Sequence, residues 1–102
     1  MVISCGPKKV VYKAGVYEGI GQGHHGLIKV KITVDEYEIK KIDIVEQQEV
    51  SVVSDVVYKI IPPKVIRKNS VDIDVVAGAT LTSNGLIEAI KDAINKANIQ
   101  EE

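Results

Sequence analysis

A chain of 102 residues with a formal net charge of −1 has room for one domain and offers no basic face for nucleic acid. Its single cysteine, Cys5, excludes an intrachain disulfide, and no Cys/His set has the spacing of a structural zinc site. Val and Ile dominate the apolar residues, Phe and Trp are absent, and four Tyr are the only aromatics. Such a supply of β-branched residues predicts a substantial sheet, and no apolar run is long enough to cross a bilayer.

Residues 1–9 are expected to form a flexible segment ahead of a domain spanning 10–98. Within them Val2-Ile3-Ser4-Cys5-Gly6 is similar to the end of a bacterial lipoprotein cleavage site without its apolar region; a frayed terminus is the simpler reading. Val10 to Glu18 reads as a first strand, and Gly19, Gly21, Gly23 and Gly26 then cluster around His24-His25. Leu27 to Asp35 alternates strictly, with Ile28, Val30, Ile32 and Val34 on one side, as a half-buried strand requires. A turn at Asp35-Glu36 leads into a third strand, Ile39 to Glu46, and the three strands most simply form an antiparallel meander.

After Gln47-Gln48 the period changes. Val52, Val53, Val56, Val57, Ile60 and Ile61 recur three and four apart and predict a helix. Ser51 or Ser54 is available to cap it, Pro62-Pro63 should stop it, and a strand is the rival because Val is a mediocre helix former. Pro63 is positioned to open a short second helical turn through Val65-Ile66, closed by Asn69-Ser70. Val71 to Val76 reads as a last short strand. From about Gly85 to Ala97 an apolar stripe of Leu86, Ile87, Ile90, Ala93, Ile94 and Ala97 predicts an amphipathic helix, with Glu88, Lys91, Asp92 and Asn95 facing away. The polar tail at 99–102 is expected to be disordered.

Gly21-Gln22-Gly23-His24-His25-Gly26 matches the dinucleotide pattern G-x-G-x-x-G, but that pattern works only where a helix begins at the glycines. A strand follows here, which leaves either a plain glycine turn or a hairpin whose backbone approaches a ligand. His24 and His25 are adjacent, so their side chains are expected to diverge rather than chelate one metal. The most informative stretch is Asp74-Val75-Val76-Ala77-Gly78-Ala79-Thr80-Leu81-Thr82-Ser83-Asn84-Gly85. It leads into the last helix through small and hydroxylated residues. Helix starts leave N–H groups without partners and so bind anions, phosphate above all. The hydroxyls of Thr80, Thr82 and Ser83 are either N-caps or part of a phosphate site, and they outnumber what one cap needs.

The same stretch resembles the signature of the FMN-binding domain family: Asp, two residues, Ser or Thr, Gly, Ala, Thr or Ser, any residue, Thr. Asp74, Gly78, Ala79, Thr80 and Thr82 stand in register, followed by a matching Ser83-Asn84-Gly85. Tyr17-Glu18-Gly19 with the later glycines and the following strand is similar to the family's opening hairpin, so the resemblance covers about Val11 to Ala97. It departs at Ala77, where the family usually has Ser or Thr; one potential hydrogen bond is lost there.

The resemblance implies an FMN joined by a phosphoester to Thr82, the last Thr of the signature. It implies that Thr80 and Ser83 are helix-start or phosphate contacts, with Asp74, Gly78, Ala79, Gly23 and His24 around the cofactor. It also implies a separate flavin transferase, acting with Mg2+, that moves the FMN half of FAD onto the threonine. Redox partner proteins, or a membrane complex of the sodium-pumping or Rnf type, would exchange the electrons, and related domains work on the outer face of bacterial membranes. A Thr hydroxyl must be activated by a base or metal; the sequence places no His or Cys beside Thr82, which points to activation by that separate enzyme. The expected fold is α+β, an antiparallel sheet of about four strands packed against two helices. The expected function is a flavin electron carrier, with a non-covalent FMN-dependent reductase module or a cofactor-free structural domain as alternatives.

Overall fold

In a computed structural model that describes residues 10–98, the chain forms three strands and then two helices: β1 Gly15–Gln22, β2 Leu27–Val34, β3 Ile39–Glu46, α1 Ser51–Lys68 and α2 Thr80–Ala97. The fold is α+β. The strands make an antiparallel meander in the order β1-β2-β3. Alternation in β2 decides which face is covered: Ile28, Val30, Ile32 and Val34 are all buried. They form the floor of a core completed by Ile39, by Val57, Ile61 and Val65 of α1, and by Leu86, Ala89, Ile90 and Ala93 of α2. Between β2 and β3, Asp35 Oδ1 accepts the amides of Tyr37 and Glu38, each at 2.7 Å, closing the expected turn as an Asx motif.

Glycine decides how α2 sits. A Cβ on Gly19 would collide with the Ala89 carbonyl oxygen, and one on Gly21 with that of Gly85. Gly85 in turn lies against the Gly23 backbone, where a Cβ would stand 2.6 Å from Cα. A helix-interior glycine costs about 1 kcal/mol relative to alanine, and here it permits that approach. β1 is an edge strand whose outward amides need partners. The Ile20 N–H donates to Asp92 Oδ2 at 3.0 Å, the Gln22 N–H to Glu88 Oε1 at 3.0 Å, and Lys96 Nζ to the Glu18 carbonyl at 2.7 Å. The polar face expected to look away from the protein thus covers the sheet edge.

Several boundaries differ from the sequence reading, each for a physical reason. The first strand runs to Gln22 rather than ending at Glu18, because Gly19 and Gly21 serve helix packing within the strand. Only the tight turn Gly23–Gly26, closed by a 2.8 Å bond from the Gly23 N–H to the Gly26 carbonyl, is loop. Helix α1 continues through Pro62 and Pro63 to Lys68. Each proline removes one backbone bond, but burial of Ile61, Pro62 and Val65 holds the helix together. The expected stop at Pro62-Pro63 and the separate second turn are thus one helix, which ends at Asn69 in the left-handed conformation with φ 53°. Neither Ser51 nor Ser54 caps its start; Val50 is the N-cap.

The buried face of α1 is also rotated. Ser54, Val57, Ile61 and Val65 point inward, whereas Val52, Val53, Val56 and Ile60 are exposed, Val52 at 82%. Residues 71–79 form no strand, so three strands stand where about four were expected. Two of the segment's polar groups find partners in the flanking helices: Lys68 Nζ donates to the Asp72 carbonyl at 2.6 Å, and the Val76 N–H to Ser83 Oγ at 3.0 Å. Helix α2 begins at Thr80, five residues ahead of Gly85. Among the described residues no helix is long and apolar enough to cross a membrane. The expected flexible segment, the lipoprotein-like string and the polar tail lie outside the described residues.

Candidate functional site

The first turn of α2 is unusually open. Its N-cap is Ala79, with no side-chain cap and no acidic residue in the first turn. The Ser83 N–H reaches the Ala79 carbonyl at 2.9 Å, so the amides of Thr80, Leu81 and Thr82, which precede it in the helix, have no intrahelical acceptor. The choice between cap and phosphate site left open by the sequence is therefore narrowed: none of the three hydroxyls caps the helix. In front of this turn lies a cavity of about 420 Å3 lined by His24, Val53, Gly78, Ala79, Thr80, Leu81 and Thr82. Gly78 has φ +82° and nothing within 4 Å of where a Cβ would stand, so the bend it makes leaves backbone bare toward solvent.

Thr82 is 4% exposed, and its hydroxyl donates to Glu49 Oε1 at 2.6 Å. The same carboxylate accepts two backbone amides from the hairpin turn, His24 N–H on Oε1 and His25 N–H on Oε2, both at 2.7 Å. Glu49 is itself only 6% exposed. Burial pushes its carboxyl up, but the bonds from Thr82, His25 and His24 together outweigh this and hold it below the ordinary value of 4.5. Gln47 Oε1 accepts the Glu49 N–H at 2.8 Å and the Tyr58 hydroxyl at 3.1 Å. Burial, with the nearby charges of Glu49 and Asp55, pushes the Tyr58 phenol up to about 12, so it stays a donor. Gly23 is required here too, since a Cβ would stand 2.7 Å from Glu49 Oε1.

The sequence candidates separate by position. His24, Gly78, Ala79, Thr80 and Thr82 share the cavity, and Gly23 lies behind it against Glu49. Ser83 is fully buried and spends its oxygen on the Val76 N–H, which fastens the 71–79 segment to the helix. Asp74 lines a different cavity, beside Lys64, Arg67 and Lys68. Ala77 is exposed. The two imidazoles do not diverge: as the centre of a tight turn they lie with ring centroids 4.4 Å apart. Among the described residues no group of three or more His, Cys, Asp or Glu is placed to hold a metal.

The profile of the FMN-binding domain matches residues 23–95, from the hairpin turn through nearly all of α2. The chain belongs to the FMN-binding domain family. Its cofactor is FMN, and the site suits it: uncapped amides for a phosphate, bare backbone at Gly78, and the apolar Val53 and Leu81 on the cavity wall. The chain is 26% identical over 88 residues to an NADH:acrylate oxidoreductase of Vibrio harveyi, covering 86% of this chain and 9% of that protein. It is 27% identical over 92 residues to an uncharacterized protein of Treponema pallidum (strain Nichols), covering 90% of this chain and 25% of that protein. The chain thus spans a quarter or less of the length of these two relatives.

Glu49, Val53 and Leu81 are the members of this site that sequence reasoning missed. Leu81 sits inside the signature as its unspecified residue. Val53 falls in the three-and-four spacing that predicts the helix, which does not mark it for a cavity. Glu49 lies 33 residues from Thr82 in a connection with no periodic pattern, and nothing local marks it as buried.

Proposed function

We propose that this domain is an electron carrier whose FMN is joined through its phosphate to Thr82 Oγ. The observation that carries this reading is Thr82, a residue of the cavity before an uncapped helix start, whose hydroxyl is held by Glu49. A phosphate there would sit against the free amides of Thr80 and Leu81, with the positive end of the helix dipole behind it. Bound FMN supplies one- and two-electron chemistry at its ring. The chain's own part is to hold the ring against Val53, Leu81 and His24, with Gly78 and Ala79 leaving the backbone close by. Apolar cover of this kind tunes a flavin's potential by limiting solvent. Asp74 is the signature residue that stands apart, in the cavity beside Lys64, Arg67 and Lys68.

One relative is named for a reaction between NADH and acrylate, and this chain matches a small part of it. Loading requires a partner, a flavin transferase with FAD as donor; a membrane redox complex is a candidate for the exchange of electrons. In-gel flavin fluorescence after denaturation tests the linkage. Protein co-expressed with a transferase should fluoresce, Thr80→Ala should retain most of the signal, and Thr82→Ala should lose it. Fluorescence retained in Thr82→Ala would refute attachment at this residue, and yellow protein that loses all flavin on denaturation would favour a non-covalent site.

A further inference from the structure

Attachment at Thr82 has to remove a proton from an alcohol, and a carboxylate already touches that alcohol. Glu49 Oε1 lies 2.6 Å from Thr82 Oγ, within the reach a general base needs. The carboxylate is fixed from behind by the His24 and His25 amides, and its own backbone N–H is tied to Gln47. It therefore has little freedom to turn away. Among the described residues no lysine or arginine pairs with it, and an ionised carboxylate that is 6% exposed without such a partner is costly to maintain. Perturbed, buried carboxylates of this kind concentrate at reacting centres.

We propose that Glu49 is the general base of flavin attachment, so that this domain brings its own proton acceptor to the reaction. The proposal rests on the attachment reading above. Thr82 Oγ forms a bond to the FMN-side phosphorus of FAD, and the bond from that phosphorus to the bridging oxygen breaks. AMP leaves with that oxygen, and the hydroxyl proton passes to Glu49 Oε1. No electrons are exchanged, and charge is conserved. In the resting protein the three donors keep the carboxylate ionised and ready. As the phosphate arrives, its like charge raises the proton affinity of Glu49, which makes it a stronger base when the proton must move. Once protonated, Glu49 is a donor beside the anionic diester instead of a second anion. The transferase and its divalent ion remain responsible for binding FAD and for the leaving group.

The test is a steady-state time course by intact mass. The flavin-free chain is the varied substrate, with one flavin transferase preparation, Mg2+ and excess FAD. General-base assistance is typically worth about 100- to 10,000-fold. Glu49→Gln is expected to lower kcat at least about 100-fold at unchanged KM, while cooperative urea unfolding shows it to be folded. Glu49→Asp, which keeps the charge but draws it back, is expected to recover part of kcat. A purely structural or docking role would instead raise KM or unfold the protein and leave kcat in place. Folded Glu49→Gln that turns over at the wild-type kcat overturns the proposal while leaving attachment at Thr82 intact. If Glu49→Gln does not fold, Glu49→Asp decides: a reduced kcat at unchanged KM supports the base, and a wild-type kcat overturns it. No mass gain in wild-type protein, or gain retained in Thr82→Ala, overturns the attachment reading and the role of Glu49 with it.

Discussion

From Gly85 onward α2 lies against β1 with backbone touching backbone, whereas its first turn faces a cavity of about 420 Å3 with no side-chain cap. Both regions are rich in glycine and other small residues, and both carry acidic side chains that accept backbone amides. At the β1 end those acids, Glu88 and Asp92, seal a sheet edge from an exposed position. At the open end Glu49 is buried and also holds the hydroxyl of Thr82, a residue of the cavity lining. The same chemistry therefore serves closure in one place and presentation of a reactive group in the other. What separates them is whether the helix backbone has protein or solvent in front of it.

The largest effect is expected where backbone meets backbone. Gly21→Ala should cost about 2–3 kcal/mol, the upper part of the range for overpacking, because the added carbon meets the Gly85 carbonyl oxygen rather than a movable side chain. Gly78→Ala should cost about 1 kcal/mol, from its positive φ alone, since space around it is free. Urea unfolding of both variants measures the difference, and equal losses would break the distinction between a packed and an open end.

Glu49 should make stability depend on pH. Its folded carboxyl lies below its ordinary value of 4.5, so the protein binds this proton less readily than the unfolded chain does. Its contribution is fully present above the unfolded value and is lost as pH falls through the lower folded value. Glu49→Gln should therefore be less stable than wild type at neutral pH by about 1–3 kcal/mol, the usual cost of leaving buried donors unsatisfied. The gap should narrow as the medium is acidified below the ordinary carboxylate range. A gap that stays constant in paired pH-dependent melts would show that charge on Glu49 contributes nothing.

A smaller loss is expected at the sheet edge. Asp92→Asn weakens a charged acceptor for the Ile20 amide in a solvent-exposed position, and about 0.5 kcal/mol is appropriate after screening. Its flavin attachment should be unchanged. Smallest of all, Thr80→Ala should leave stability within about 0.5 kcal/mol of wild type, as exposed substitutions usually do, and should slow attachment only slightly.

Much of this was legible in the sequence because it depends on local pattern. Strict alternation over Leu27–Val34 set the buried face of β2, and the signature from Asp74 to Thr82 led to the start of α2. What was not legible depends on distant partners. Gly19 and Gly21 read as loop, since only the presence of Gly85 and Ala89 behind them explains glycine within a strand. Val52, Val53 and Val56 have helical spacing, yet Ser54 and Val57 face inward against the sheet and α2. The strand expected at Val71–Val76 does not form, and Ser83 takes the Val76 amide instead. Glu49 itself carries no motif. Its burial is decided by the hairpin turn and by Thr82, which approach it from opposite ends of the chain.

The most direct measurement is 31P NMR of the flavin-loaded protein across the acid–neutral range. A phosphate monoester takes up a second proton with a pKa of about 6, whereas a diester to Thr82 has no second proton to gain. One resonance that keeps its chemical shift from about pH 5 to about pH 8, and that stays with the protein after denaturation and desalting, is the expected result. A resonance that titrates near the monoester pKa of about 6, or that is removed with free FMN on denaturation, would contradict a covalent carrier built on Thr82.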